Sequence, residues 1–179
     1  MDWYVFFKFL HVAAAIIWIG GAFIMLVLGM DAVRRNDDAR LVSILALTGW
    51  AAERVYVPAS MATVLLGLVA AWLGNLWAEA WVILGLAGMA ITMALGILAL
   101  TPRAKRVAAA PGPTPEAVAT ARDMVTLMKF DCTALFVVVA DMVLKPQWTD
   151  WVTAAMVLLV LAAAGFWLLP TLRRPPAVA

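Results

Sequence analysis

Residues 3–30 read WYVFFKFLHVAAAIIWIGGAFIMLVLGM, and this stretch decides the fold. Apart from Lys8 and His11 it is apolar for about 28 residues, more than the roughly 20 that cross a bilayer core. An ionisable ring at membrane depth is costly, so His11, the only histidine of the chain, is expected to face protein. At about 100° per residue, one helix face carries His11 together with Tyr4, Lys8, Ala15, Trp18 and Ala22.

The composition extends this interpretation to the whole chain of 179 residues. It is 66% hydrophobic and 13% charged, whereas soluble domains are roughly 45–50% apolar and 25% charged. We therefore predict one all-α, multi-pass membrane domain over residues 1–179. No basic patch interleaves with aromatic residues, which excludes nucleic acid as a partner. The single cysteine, Cys132, excludes an intrachain disulfide and is expected to be a small buried apolar residue.

Five transmembrane helices are predicted, at about residues 3–30, 56–73, 81–100, 122–144 and 151–169. The helix that contains span two starts earlier, near Asp37 or Asp38, with an interfacial first half. Pro58 is expected to kink this second helix, because proline removes an intrahelical hydrogen bond. The fourth helix is predicted to run to about Leu144 from an N-cap at Thr114.

Two further prolines are interpreted as helix ends. Pro102 is expected to stop span three and to open a basic, proline-rich loop over residues 102–113. Pro170 is expected to end span five, followed by a short basic tail. Proline in a helix interior clashes with the preceding turn, which is the physical reason for both predictions.

The basic residues favour one orientation in the bilayer. Five spans place nearly all of them on one side, and four or six spans would divide them between both sides. The positive-inside rule then puts the N-terminus outside and the C-terminus in the cytoplasm of a bacterial inner (plasma) membrane. The residues on the cytoplasmic side are Arg34, Arg35, Arg40, Arg54, Arg103, Lys105, Arg106, Arg122, Arg173 and Arg174.

Spans two to four each have one face of small or polar residues, which typifies helix contacts in lipid. Spans one to four are therefore expected to form a bundle, with span five at its periphery. The faces are Glu53, Tyr56, Ser60, Thr63, Gly67, Ala71 and Gly74; Trp81, Gly85, Gly88, Thr92 and Gly96; and Asp123, Asp131, Ala134, Val138, Asp141 and Lys145.

Charged residues within the spans are expected to form ion pairs. The expected pairs are Lys8 with Asp141 towards the outside, and Arg54 with Glu53 or Asp131 towards the cytoplasm. A buried charge requires a partner whatever the function, so these pairs can be structural or can serve proton relay or substrate contact.

Three segments resemble known membrane protein families. FKFLHVAAAIIWIGG (Phe7 to Gly21) is similar to the first helix of HemJ-type protoporphyrinogen oxidases. Glu53-Arg54-Val55-Tyr56 with Pro58-Ala59 and Gly67 resembles a second HemJ-type motif, and VVVADMVLKP (137–146) resembles the end of their fourth helix. The chain most resembles a family of predicted bacterial integral membrane proteins related to these oxidases and, more loosely, to CopD-type copper-resistance proteins.

The resemblance implies a b-type haem bound by His11, with Glu53 and Arg54 as polar groups of the same cavity. With one histidine, the haem would be five-coordinate, or would take a methionine such as Met142, or His11 of a second protomer. Lys8 or Arg54 would be available to a propionate. The candidate cofactor-binding residues are His11, Lys8, Trp18, Glu53, Arg54, Asp131, Asp141 and Met142, with His11 as the metal ligand.

Other functions remain open at the level of the sequence. A flat apolar cavity lined by Trp18 and Ala15 would also suit a quinone. A cofactor-free accessory or transport-type membrane protein is the second hypothesis, and copper handling is a weaker third. A homodimer or a larger membrane complex is a further expectation. There is no Gly-rich phosphate loop, HExxH motif or nucleophile elbow in the sequence.

Overall fold

A computed structural model describes residues 2–173, and this part of the chain is helical and contains no strand. The α-helices are α1 (Trp3–Arg34), α2 (Asp38–Ala51), α3 (Val57–Leu73), α4 (Ala80–Leu95), α5 (Thr101–Ala109), α6 (Pro115–Leu144), α7 (Trp151–Ala163) and α8 (Leu169–Arg173). Short π-helical segments join α2 to α3, α4 to α5 and α7 to α8 without a break: Ala52–Tyr56, Gly96–Leu100 and Ala164–Leu168. The described residues therefore form five long helices, as predicted.

Four of these five helices are long and apolar enough to cross a membrane: Trp3–Arg34, Asp38–Leu73, Ala80–Ala109 and Trp151–Thr171. The remaining one, α6, has 30 residues and is long enough, but it carries more charged residues than the other four. The span at residues 122–144 within α6 therefore stays a prediction.

Helix α6 occupies the centre of the bundle. It packs against α1, α2, α4, α5 and α7. Several of its large side chains are fully buried, among them Phe130, Leu127 and Leu135. Because its neighbours cover it on several sides, α6 tolerates polar residues that a lipid-facing helix could not. The last helix lies at the periphery as predicted, since only 11% of its most apolar window is buried.

Each π-helical segment ends two residues before a proline, namely Pro58, Pro102 or Pro170. In each case the residue just before the proline donates its N–H to the carbonyl five residues back rather than four: Val57 to Ala52, Thr101 to Gly96 and Leu169 to Ala164. A π-turn widens the helix locally. Since the proline ring crowds the carbonyl four residues back, the wider turn lets the helix continue through it.

The predicted helix ends at Pro102 and Pro170 are therefore wrong. Helix α5 continues from Pro102 to Ala109, so the expected loop shrinks to the residues after Ala109, and α8 continues through Pro170. The helix with Pro58 likewise runs unbroken over 36 residues from Asp38 to Leu73. Its kink stays a prediction. The end of the basic tail, including Arg174, lies outside the described residues.

The predicted helix starts are confirmed. Asp37 caps α2 by accepting a hydrogen bond from the Arg40 N–H at 3.0 Å, and Thr114 caps α6 through the Ala117 N–H at 3.2 Å. The first half of the second helix packs in a core cluster with α1, α5 and α6, where Leu41 is fully buried. This half of the helix is therefore an integral part of the bundle.

Candidate functional site

The polar faces predicted on α1, α3 and α4 line two cavities that follow one another along the bundle. The first, the His11 cavity, has a volume of about 190 Å³, and the second, the Asp131 cavity, about 220 Å³. The polar face of α1 contributes Tyr4, Lys8 and His11 to the first and Trp18 and Ala22 to the second. A buried layer of Trp18, Met89 and Leu135 lies between them.

His11 is half-buried at the side of its cavity and is fixed by one short hydrogen bond. Its Nδ1 lies 2.7 Å from the backbone carbonyl oxygen of Thr63 on α3. A carbonyl oxygen can only accept, so Nδ1 carries the proton, and in the neutral ring Nε2 keeps its lone pair. This is the arrangement in which protein histidines present a ring nitrogen to a metal, because the second nitrogen is oriented by a backbone acceptor.

Gly67 makes the close approach of α1 and α3 possible at this point. A Cβ atom at residue 67 would lie 2.8 Å from His11 Nδ1 and 2.9 Å from Cε1, closer than packed atoms allow. The missing side chain therefore provides the space for the imidazole. The sequence placed Gly67 on the polar face of span two, but its contact with His11 depends on how two helices meet.

Two ammonium groups accompany His11 in the cavity. Lys8 Nζ lies 4.9 Å from the centre of the Tyr4 ring, and Lys145 Nζ lies 5.2 Å from the Trp81 ring. Both lysines line the His11 cavity. Such cation–π contacts hold the charged groups near the aromatic rings without neutralising them, so the cavity combines apolar walls with positive charge.

Met142, the candidate second axial ligand of a haem, lines the same cavity as His11. Its side chain occupies the space next to Gly85, where a Cβ would overlap the Met142 methyl group. Among the described residues, no group of three or more His, Cys, Asp or Glu side chains could hold a metal ion. A metal at His11 would therefore draw its remaining ligands from a cofactor, a thioether or another molecule.

The remaining candidate residues lie elsewhere. Glu53 and Arg54 do not line the His11 cavity, contrary to what the resemblance implied. Tyr56, which follows them, donates a hydrogen bond to the Gly21 carbonyl at 3.2 Å. Gly21 is ten residues along α1 from His11, a distance of roughly 15 Å. Trp18 and Asp131 line the second cavity, and Asp141 lines a third between α4, α6 and α7.

The predicted ion pairs are not formed in the part of the chain that the structure describes. Lys8 contacts Tyr4, and both carboxylate oxygens of Asp141 are buried without a hydrogen-bond partner. Arg54 lies over the Trp50 ring at 5.2 Å. Glu53 instead pairs with Lys105 at 3.5 Å on the surface. Lys8, Arg54 and Glu53 therefore contact groups other than the predicted ones.

Most residues that line the His11 cavity are absent from the predicted site, and three of them bear on its chemistry or its space: Tyr4, Gly67 and Lys145. All three lie on the polar faces identified in the sequence, so the helical periodicity contained the signal. Their selection as site residues requires the relative heights of the helices, which periodicity does not give. Comparisons with models of known protein families, with curated proteins and with solved structures give no match for this chain.

Proposed function

We propose that the protein is a five-span helical protein of the bacterial inner membrane that binds b-type haem through His11. The single observation that carries the proposal is the fixed tautomer of His11, which leaves the Nε2 lone pair available beside a cavity. The resemblance to HemJ-type oxidases at residues 7–21 adds to it. Bound haem would supply one-electron redox chemistry.

The proposed orientation has the N-terminus outside and the C-terminus in the cytoplasm. Its support is the uneven distribution of arginine and lysine together with the four helices that are apolar enough to cross a membrane. In this orientation the His11 cavity lies in the outer half of the bilayer, and the basic helix α5 lies on the cytoplasmic side.

The residues of the cavity suit the parts of a haem. His11 Nε2 would bind the iron, and Met142 would be the in-chain candidate for the second axial position. Lys8 and Lys145 would bind the propionate carboxylates, since ammonium groups pair with carboxylates. The cavity therefore contains nitrogen and sulfur donors for the iron and ammonium groups for the propionates.

The volume of the cavity sets a condition on the proposal. About 190 Å³ is below the roughly 300–1,000 Å³ of typical ligand pockets, so this chain alone would cover only part of a macrocycle. Two of its lining residues, Val12 of α1 and Leu86 of α4, are 47% and 37% exposed. We propose that lipid or a second copy of the chain covers the rest of the ligand there.

A second candidate function has its own support. The hydrogen bond from His11 to Thr63 joins two helices across 52 residues of sequence, which is what a purely structural histidine would do. In that case the protein is a cofactor-free accessory or transport-type membrane protein.

A quinone ring, which is smaller than haem, is the other cofactor that the cavity would admit.

The absorption spectrum of the purified protein tests the proposal. Protein from cells supplied with haem should show a Soret band, and His11→Ala should lose it. His11→Gly should also lose the band and regain it when imidazole is added, because free imidazole can replace the missing ligand. A merely structural histidine would give no such rescue.

Two results would overturn the haem proposal. One is a colourless wild-type protein without bound iron. The other is a His11→Ala variant that keeps the band while remaining monodisperse in size-exclusion chromatography. If the wild type is colourless and His11→Ala only unfolds at a lower temperature, the cofactor-free function is supported instead.

A further inference from the structure

The Asp131 cavity contains a buried carboxylate without a counter-charge. Asp131 is 9% exposed, and its Oδ1 is buried and has no hydrogen-bond partner among the described residues. No lysine, arginine or histidine of the described residues lines this cavity. An unpaired buried carboxylate costs several kcal/mol, which an opposite charge in contact with it would offset. None of the described lining residues supplies that charge, so a bound cation would supply it.

Hydroxyl groups in the same cavity present oxygen lone pairs. Thr48 donates to the Ile44 carbonyl at 3.1 Å, Ser60 to Val57 at 2.9 Å and Thr92 to Met89 at 3.1 Å. A hydroxyl has one hydrogen to donate. Since a carbonyl of the same helix takes that hydrogen in each case, what remains for a ligand is an acceptor.

The remaining polar groups do not change this character. Tyr56 donates its hydroxyl hydrogen to the Gly21 carbonyl at 3.2 Å. The Trp18 indole, the Thr101 hydroxyl and the Cys132 thiol also line the cavity and carry hydrogens, but no hydrogen bond joins any of them to Asp131 Oδ1. The polar part of the cavity therefore combines one carboxylate and several oxygen acceptors with three donor groups that are not bonded to Asp131 Oδ1.

The rest of the lining is apolar and includes Met61, Met93, Ile97 and Met128. A bare metal ion prefers a full shell of oxygen ligands, which such walls do not provide. An alkylammonium ion needs only three acceptors, one for each N–H, and its hydrocarbon part would contact the apolar wall. The volume of about 220 Å³ suits a small molecule of this kind.

We propose that the Asp131 cavity is a binding site for a protonated primary amine with a short apolar body. The ammonium group would donate hydrogen bonds to Asp131 and to hydroxyl oxygens such as those of Ser60 and Thr92. The site is separated from His11 by the layer of Trp18, Met89 and Leu135. It is therefore independent of the haem proposal, and either can fail without the other.

Isothermal titration calorimetry on the full chain in detergent tests the site with three matched probes. Hexylammonium carries the charge and the N–H donors, hexyltrimethylammonium carries the charge alone, and hexanol carries neither the charge nor the ammonium group. Hexylammonium should bind at least about tenfold more tightly than either of the others, because loss of a charged hydrogen-bonding group costs about that much or more.

Asp131→Asn should remove the preference for hexylammonium, while Asp141→Asn should keep it. The control is matched because Asp141 is also a buried carboxylate of α6 without a hydrogen-bond partner in the described part of the chain, but it lines a different cavity. If Asp131→Asn does not fold, Ser60→Ala and Thr92→Val provide the test. Each should weaken hexylammonium binding by roughly three- to tenfold.

Several outcomes would overturn the proposal. If hexanol bound as tightly as hexylammonium, the cavity would accept any apolar molecule of this size. If hexyltrimethylammonium bound as tightly as hexylammonium, hydrogen bonds to the oxygen acceptors would not contribute to binding. Unchanged binding to Asp131→Asn, or to both Ser60→Ala and Thr92→Val, would exclude these residues as the site. An equal loss in Asp141→Asn would mean that the effect is not specific to the Asp131 cavity.

Discussion

Replacing Phe130 by alanine should lower the free energy of unfolding by about 3–5 kcal/mol. Phe130 is 1% exposed and packs in a core cluster with Leu95, Leu127 and Ala163, which come from α4, α6 and α7. Truncation would remove the contacts that hold three helices together and leave a cavity at the centre of the bundle. Reversible unfolding in mixed micelles of mild and denaturing detergent measures the change.

The matched control is Phe136→Ala on the same helix. Phe136 is 48% exposed, and its ring meets Phe23 edge-on at 5.6 Å. Loss of that pair should cost about 0.5–1.5 kcal/mol, because detergent or lipid would replace most of the other contacts. If both variants lost the same stability, α6 would not be the packed centre of the bundle.

Gly88→Leu should destabilise the protein by about 3 kcal/mol or more, because it forces α4 away from α6. A Cβ at residue 88 would already overlap the side chain of Val138. Helices in lipid associate through such close approaches at small residues, since lipid contacts compete with every looser arrangement. The same unfolding measurement applies, with size-exclusion chromatography as a check for aggregation.

Gly20→Leu is the control for this substitution, because among the described residues no atom beyond the adjacent α1 backbone lies within 4 Å of a Cβ built at Gly20. It should leave the stability within about 1 kcal/mol of the wild type. The clash can also be relieved directly: Val138→Ala should restore part of the stability lost in Gly88→Ala. Additive losses in that double variant would show that the two residues do not contact each other.

Helical periodicity was sufficient to predict the cavity-lining side of α1, α3 and α4. The faces containing His11, Thr63 and Thr92 all line the two cavities of the described structure. This part was predictable because polar residues on a membrane helix turn towards protein to avoid lipid, and small residues do so because they let helices approach closely. Cys132 is buried, as expected for a small apolar residue.

The contacts between helices were not predictable in the same way. Lys8 was paired with Asp141 on the basis of depth alone, yet it contacts Tyr4 four residues away on its own helix. The carbonyl acceptor of His11 is a backbone atom, which no side-chain pattern indicates. These contacts depend on the rotation and height of each helix, and those are set by packing at glycines such as Gly67 and Gly85.

The predictions of helix ends at Pro102 and Pro170 were wrong for another reason. Proline usually terminates or kinks a helix because the preceding turn cannot accommodate the ring. At Pro102 and Pro170 the preceding turn is π-helical, so the helix passes through. The rule describes the local clash correctly, but the chain can resolve it by widening one turn.

The central position of α6 has a consequence for biogenesis. In the proposed topology, its arginine, lysine and aspartates would each oppose partition into lipid by about 2.5–3.5 kcal/mol near the bilayer centre. Four of its neighbours, α1, α2, α4 and α5, precede it in the chain and are synthesised first. An insertion machinery that releases helices one at a time would deliver α6 to partners already in place, so the order of synthesis itself would shelter the least lipid-soluble segment.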